Sequence, residues 1–367
     1  MNIQKELCVW FKENHRELIF RKDKNPYSIW VSEIMAQQTR IDSMLPYYEK
    51  WMQDYPTIEA LASAPIEKIL KSWEGLGYYN RARKLYEGAK QVMCEYNGIL
   101  PDDYDELLKI SGIGPYTAGA IASIAYNKEI PAVDGNVLRI LTRVAEDDTD
   151  IMKASFRKQV ELQLMEYMQS EAFVGKSPAD YNQALMELGA TVCLPNGAPN
   201  CQECPWRELC QARKNNSISE LPVKAKAKQR RIEKRTVFVI RDGERVAIRK
   251  RPKKGLLAGL YELPNVEGHL SQEEALLYVK EQSLSPIRIQ KLPEAKHIFS
   301  HVEWQMQGYA VLIEEPEQIQ SFLYVEAVTS EQQYAIPAAF AAYAKFMGIK
   351  IGQERFLEVD TSEILLR

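Results

Sequence analysis

The sequence predicts two domains, a mostly α domain followed by a smaller α+β one. Three observations carry this. The chain has 367 residues, more than a single core usually serves. Apolar residues recur at three- and four-residue spacing as far as about residue 215, as in Ile58–Trp73 and Tyr116–Tyr126, which is the period of amphipathic helices. Beyond a basic stretch the period shortens to that of strands. The boundaries read from these changes are 1–215 for the helical domain, 216–235 for a linker and 236–367 for the α+β domain.

Composition narrows the possible classes. No stretch approaches the ~18 apolar residues of a membrane span. The amino terminus, MNIQKELCVWFKENHREL, mixes charges into an amphipathic pattern and lacks a signal peptide's apolar block. A cytoplasmic protein with no membrane partner is expected, and a monomer, since nothing signals oligomerisation. The formal net charge of −3 leaves no global basic footprint of the kind nucleic-acid binders carry. Attraction for phosphate must then come from local clusters, because charges are screened beyond about 8 Å at physiological salt.

Taken in order, the helical domain first offers Ile29-Trp30-Val31-Ser32-Glu33-Ile34-Met35, an acid inside an apolar helical run. Such neighbours desolvate a carboxyl and raise its pKa, so Glu33 is expected to be a proton donor at neutral pH. Breaks come next at Gly75-Leu76-Gly77 and at Gly112-Ile113-Gly114. In the second, a short helix turns through Gly112 and Gly114 into another opening at Pro115. Exposed amides and the helix dipole make that turn a candidate site for a DNA phosphate. Asp134, in Val133-Asp134-Gly135-Asn136-Val137, is placed to cap a further helix, where backbone amides would hold it ionised. Together Glu33 and Asp134 would make a pair of unlike carboxyls, one protonated and one ionised.

Six cysteines do not make a disulfide framework in a chain of this length. Four of them, Cys193, Cys201, Cys204 and Cys210, fall within eighteen residues, which indicates a metal centre; zinc and an iron-sulfur cluster both suit four sulfurs. Cys8 and Cys94, in apolar helical surroundings, are expected to be small core residues. The basic stretch holds Lys224, Lys226, Lys228, Arg230, Arg231, Lys234 and Arg235 against Glu233 alone, a solvated tether or a DNA-backbone contact. After it, strands at 237–240 and 246–248 flank a tight Asp242-Gly243 turn. A helix at 272–281, strands at 287–292 and 301–313, and a closing helix at 338–347 complete the reading.

The hairpin, the downstream acid and the cysteine cluster, in this order, resemble the helix-hairpin-helix glycosylase superfamily that includes endonuclease III. The segment Trp30-Val31-Ser32-Glu33-Ile34-Met35-Ala36-Gln37-Gln38-Thr39 is similar to its adenine-excising branch, the MutY family. The resemblance implies that Glu33 protonates adenine N7 and manages the attacking water, that Asp134 stabilises the sugar cation or its adduct, and that Asn136 supports them. It implies that Gln38 and Tyr78 wedge into the duplex as the base leaves the stack. Phe20, Arg21, Ala36 and Gln183 would line the adenine pocket. The cysteines would hold a 4Fe-4S cluster, with Arg207 or Arg213 offered to phosphate.

Members that also cut the backbone carry a lysine after the hairpin; here the residue is Tyr116, so base removal without strand cleavage is expected. The C-terminal domain would be Nudix-like without the magnesium-binding glutamates, since the chain after Gly268 lacks that motif. Phe299, Ser300 and His301 would sense 8-oxoguanine opposite the adenine. The expected partner is duplex DNA holding adenine opposite 8-oxoguanine or guanine. The chain departs from the family in Leu18-Ile19-Phe20-Arg21, where Leu-Pro-Trp-Arg is usual, in Ala36 for leucine, and in seven residues between the first two cysteines where six are usual. The alternatives are a glycosylase of the same superfamily acting on another base, such as an oxidised pyrimidine, and a non-catalytic lesion binder.

Overall fold

The amphipathic runs of the first 215 residues form helices, several of which start at prolines or capping side chains. Asn25 caps Pro26–Ala36, accepting from the Tyr27 amide, and Asp103 caps Tyr104–Lys109. The computed structural model describes residues 3–225, 229–314 and 322–351. Lys226 and Lys228 of the basic stretch lie outside them. The chain divides into two compact units, one holding residues up to Gln38, Asp54–Ser63 and those from Lys84 to 225, the other Thr39–Gln53, Ala64–Arg83 and the described residues from 229 onward. Among the described residues no helix is long and apolar enough to cross a membrane.

The first unit is helical. Val137, Leu138 and Ile140 of Gly135–Ala145 are buried with Leu185 and Leu188 of Pro178–Thr191, Phe173 and Trp206. Each such side chain contributes roughly 1.5–3 kcal/mol. The two helices touch closely at Gly189, where an added Cβ would stand 2.6 Å from the Cβ of Asn136. Cys94 corrects the sequence reading: it sits on the solvent side of the last turn of Asn80–Glu95, whereas Cys8 packs against the core.

The second unit carries a seven-stranded mixed sheet made of β1 (Arg231–Asp242), β2 (Arg245–Lys250), β3 (Tyr261–Glu262), β4 (Asn265–Glu267), β5 (Pro286–Ile298), β6 (Val302–Ile313) and β7 (Leu323–Glu326). The order is β3-β2-β1-β6-β5, with β4 also on β1 and β7 also on β2. Alternation along β1 sends Val237 and Val239 to one face with Phe340 and Tyr343, and Phe238 and Ile240 to the other with Ala275 and Val279 of the Gln272–Glu281 helix. The unit also includes Ile66–Ser72, and packs Trp51 edge-on against Trp73 at 5.4 Å.

Four sequence readings change here. The linker read as 216–235 gives way to β1 already at Arg231, because β1 pairs in parallel with β6 from Arg231 opposite Val302, and Arg231 and Arg235 both bridge Glu233. The β1–β2 turn centres one residue later than Asp242-Gly243, since Asp242 pairs with Arg245 and Gly243 takes φ 57°. The closing helix is a composite, α only over Ala341–Ala344 between two 3₁₀ turns. A further helix, Ala327–Gln333, has no counterpart in the sequence reading.

Candidate active site

Glu33 lies on Pro26–Ala36, eight of whose eleven residues are buried. Burial pushes its carboxyl up from 4.5 to about 7; the Tyr116 hydroxyl, donating to Oε2 at 2.6 Å, pulls the other way, the charge of Asp134 adds to the rise, and Arg21 opposes it. Tyr116 is held well above its ordinary value by the same burial. It projects from Pro115–Ile124, whose entry turn needs Gly112: φ is 85°, and a Cβ there would meet the Lys84 side chain at 2.8 Å. Gly114 is the cap of that helix and supplies no side chain to its first amides.

Asp134 caps Gly135–Ala145, accepting from the amides of Asn136 and Val137, each at 2.8 Å. Its other oxygen accepts from the Asn136 side chain at 2.6 Å. Asn136 in turn accepts from Arg139, which also donates to the carbonyls of Gly189 and Cys193. Asp134 is thereby fixed from both sides by one helix.

Arg21, in the 3₁₀ turn Ile19–Arg21 with half-buried Phe20, donates to Glu187 Oε2 at 2.6 Å. Arg16 holds the same carboxylate at 2.7 Å. Burial raises the Glu187 carboxyl, but these two guanidiniums overcome it and hold the group at about 2. Sequence reasoning missed Glu187. The signal was present, an acid in the apolar run Ala184-Leu185-Met186-Glu187-Leu188-Gly189, of the same kind that singled out Glu33. Gln183, one turn earlier, spends its amide on the carbonyl of Ala179, and Ala36 ends its helix, half-buried.

The four cysteines line one cavity with Ile140, Val144, Leu188, Val192 and Trp206, where Arg143, Arg207 and Arg213 supply positive charge. Arg143 donates to the Cys193 sulfur at 3.3 Å and to the carbonyl of Leu194. Among the described residues no group of three or more His, Cys, Asp or Glu is placed to hold one metal ion. Tetrahedral zinc needs every sulfur within about 2.3 Å of one centre, whereas a four-iron cluster gives each thiolate its own corner.

Gln38 and Tyr78 are both exposed and both left-handed, with φ of 56° and 46°, a conformation uncommon outside glycine. Such backbone settings concentrate at functional turns. In the second unit the Tyr78 hydroxyl stands 3.2 Å from Ser300 Oγ. Ser300 and His301 are exposed at the β5–β6 turn, while Phe299 packs edge-on to Trp304 at 5.0 Å and its amide donates to Val302.

Residues 31–169 match the HhH-GPD superfamily of base excision DNA repair proteins, and residues 236–345 match the NUDIX domain. The adenine DNA glycosylase of Rattus norvegicus is 34% identical over an alignment covering 85% of this chain and 70% of that protein. The chain belongs to the adenine DNA glycosylase family. The Homo sapiens adenine DNA glycosylase is 32% identical, with 95% of this chain and 74% of that protein covered. A solved thermostable thymine-DNA glycosylase aligns with a TM-score of 0.51 at 26% identity, covering 57% of this chain and 94% of its own. As a family member the chain is a DNA N-glycosylase that acts on DNA, with a helical HhH-GPD domain followed by a Nudix-like one.

Proposed function

We propose that the enzyme removes adenine paired with 8-oxoguanine or guanine, by hydrolysis and without strand cleavage. The observation that carries this is the pair of unlike carboxyls, Glu33 raised toward neutrality by burial and Asp134 held by three N–H donors. Adenine flipped from the stack takes a proton from Glu33 at N7. The N-glycosidic bond breaks with its electron pair passing to the base, and the sugar cation is stabilised by the Asp134 carboxylate. Water then adds to C1′, giving its proton to the Glu33 carboxylate, which restores the acid. Asn136 keeps Asp134 in register. Tyr116, a phenol donating to Glu33, offers no amine to form a Schiff base, which supports a monofunctional enzyme.

Phe20 and Ala36 shape the adenine pocket, with Arg21 set by Glu187 and Gln183 on the facing helix. Gln38 and Tyr78 fill the space left by the base, Gly112 and Gly114 take a backbone phosphate, and Ser300 with His301 reads the opposite base. The glycosylase domain runs over 1–215 and the Nudix-like one from Arg231 onward, and the protein works in the cytoplasm. Cys193, Cys201, Cys204 and Cys210, which line one cavity, would hold a 4Fe-4S cluster, a reading supported by four thiolates in one lining and by the family the chain belongs to. Bound there, it would supply a structural tie for the loop carrying Arg207 and Arg213.

The test is single-turnover excision on duplexes holding adenine opposite 8-oxoguanine, adenine opposite guanine, or an oxidised pyrimidine. Adenine release alone, lost in Glu33→Gln, is expected; pyrimidine release, or strand nicking without added base or heat, rejects the reading. Iron and acid-labile sulfide in stoichiometric amount are expected in purified protein, and stoichiometric zinc would reject the cluster.

A further inference from the structure

The second unit contains a buried ion pair that the excision chemistry leaves unused. Lys71 Nζ donates to Glu74 Oε2 at 2.7 Å and to the carbonyl oxygens of Tyr334 at 2.9 Å and Ser330 at 3.3 Å. Glu74 Oε1 accepts from the backbone N–H of Ile336 at 2.6 Å. Glu74 is 1% exposed and Lys71 8%. A charge pair in the interior is a poor route to stability, because apolar residues of similar volume often serve as well or better; what such a pair supplies is a fixed arrangement. This pair bonds to the main chain of 330–336, and so ties the end of Ile66–Ser72 to the stretch just beyond the Ala327–Gln333 helix.

The residues after Glu74 give that tie a purpose. Gly75, Gly77 and Tyr78 all lie at positive φ, a tight turn that presents the Tyr78 ring. The half-buried Arg81 guanidinium closes this turn, donating to the carbonyls of Leu76 and Gly77 at 3.1 and 3.2 Å and lying over the rings of Trp73 and Tyr78. At the far side of the turn Arg83 donates to the carbonyl of Ala258, and before the pair Glu67 meets Lys250 at 3.1 Å. Tyr78 itself reaches Ser300. The segment from Glu67 to Arg83 is thus bonded to the sheet-bearing chain at successive points, and among these contacts the Lys71–Glu74 one alone is buried and doubly charged.

We propose that Lys71 and Glu74 are positioning residues for reading the opposite base. They lock the turn carrying Tyr78 to the chain carrying Ser300, so that wedge and sensor meet the lesion as one rigid piece. This rests on the roles proposed for Tyr78 and Ser300.

The test uses full-length protein and three variants, Lys71→Met, Glu74→Gln and the double variant Lys71→Met/Glu74→Leu, whose apolar pair leaves no orphaned charge. Single-turnover rates opposite 8-oxoguanine and opposite guanine are normalised to the fraction of active enzyme, alongside melting temperatures. In all three variants the ratio of the two rates should fall about tenfold or more through the 8-oxoguanine rate, with the guanine rate within about twofold of native. The double variant should recover the native melting temperature without recovering the ratio. If it recovers both, or if the variants lose both rates alike, the pair is merely structural and the proposal is overturned. A native chain that excises adenine equally fast opposite both bases removes the sensing roles themselves, and this inference with them; a discriminating native chain whose double variant discriminates as well overturns the inference alone.

Discussion

Glu33 shows how one side chain can trade stability for chemistry. Its carboxyl, lifted by burial to about 7, is partly protonated at neutrality, so a step that needs the acid form should slow as pH rises through that value. Tyr116→Phe deletes a hydrogen bond that lowers this pKa, and the alkaline limb of the single-turnover pH profile should therefore move up; a limb that stays or moves down would break the link between the two residues. The stability consequence has a definite sign. A glutamate whose folded pKa exceeds its unfolded one contributes stability that is complete below the unfolded value and is lost as pH rises through the folded value. Glu33→Gln should consequently match the native chain near pH 4.5 and exceed it above about pH 8, by on the order of 3 kcal/mol for a shift from 4.5 to about 7. Urea titrations at both pH values measure this, and equal stabilities at the higher one would mean the carboxyl is not desolvated.

Packing between helices places the second acid. Gly189→Ala puts a Cβ 2.6 Å from that of Asn136, so either the two helices separate or Asn136 turns away from Asp134. The expected cost is about 1–3 kcal/mol. Excision should fall further than binding to uncleaved duplex; equal losses would place the damage in the fold and not in the acid's support. How much of this was legible depends on range. Glu33, Asp134 and the cysteines announce themselves within a few residues, through an acid in an apolar run, an acid before a helix, and spacing. The Gln272–Glu281 helix was likewise local, down to its Ser271–Glu274 capping box. Glu187 was not, because its meaning comes from Arg16 and Arg21, more than 160 positions earlier. Nor was β1, whose first residues are basic and read as tether; they become strand only by pairing with β6, about 70 residues on. The α–3₁₀ break after Pro337 and the bonding of Lys71 to 330–334 are equally tertiary, with no local periodicity to betray them.

The grouping of Thr39–Gln53 and Ala64–Arg83 with the C-terminal sheet has a consequence for dissecting the protein. Sequence boundaries suggest cutting near the basic stretch to isolate the helical domain. That cut would take away the carbonyls of Ser330 and Tyr334 and the amide of Ile336, three buried partners of the Lys71–Glu74 pair. Each buried polar group left without its partner costs about 1–3 kcal/mol, enough to open a short segment locally without unfolding the rest. In a chain ending after residue 225, amide hydrogen exchange should accelerate across 66–83 toward loop-like rates. Amides of Pro178–Thr191, whose core lies wholly in the first unit, should keep their native protection. If 66–83 stays as protected as in the intact chain, these residues belong energetically with the helices around them in sequence, and the C-terminal domain is a detachable reader. If protection is lost only there, part of what sequence assigns to the glycosylase domain is held in place by the Nudix-like one.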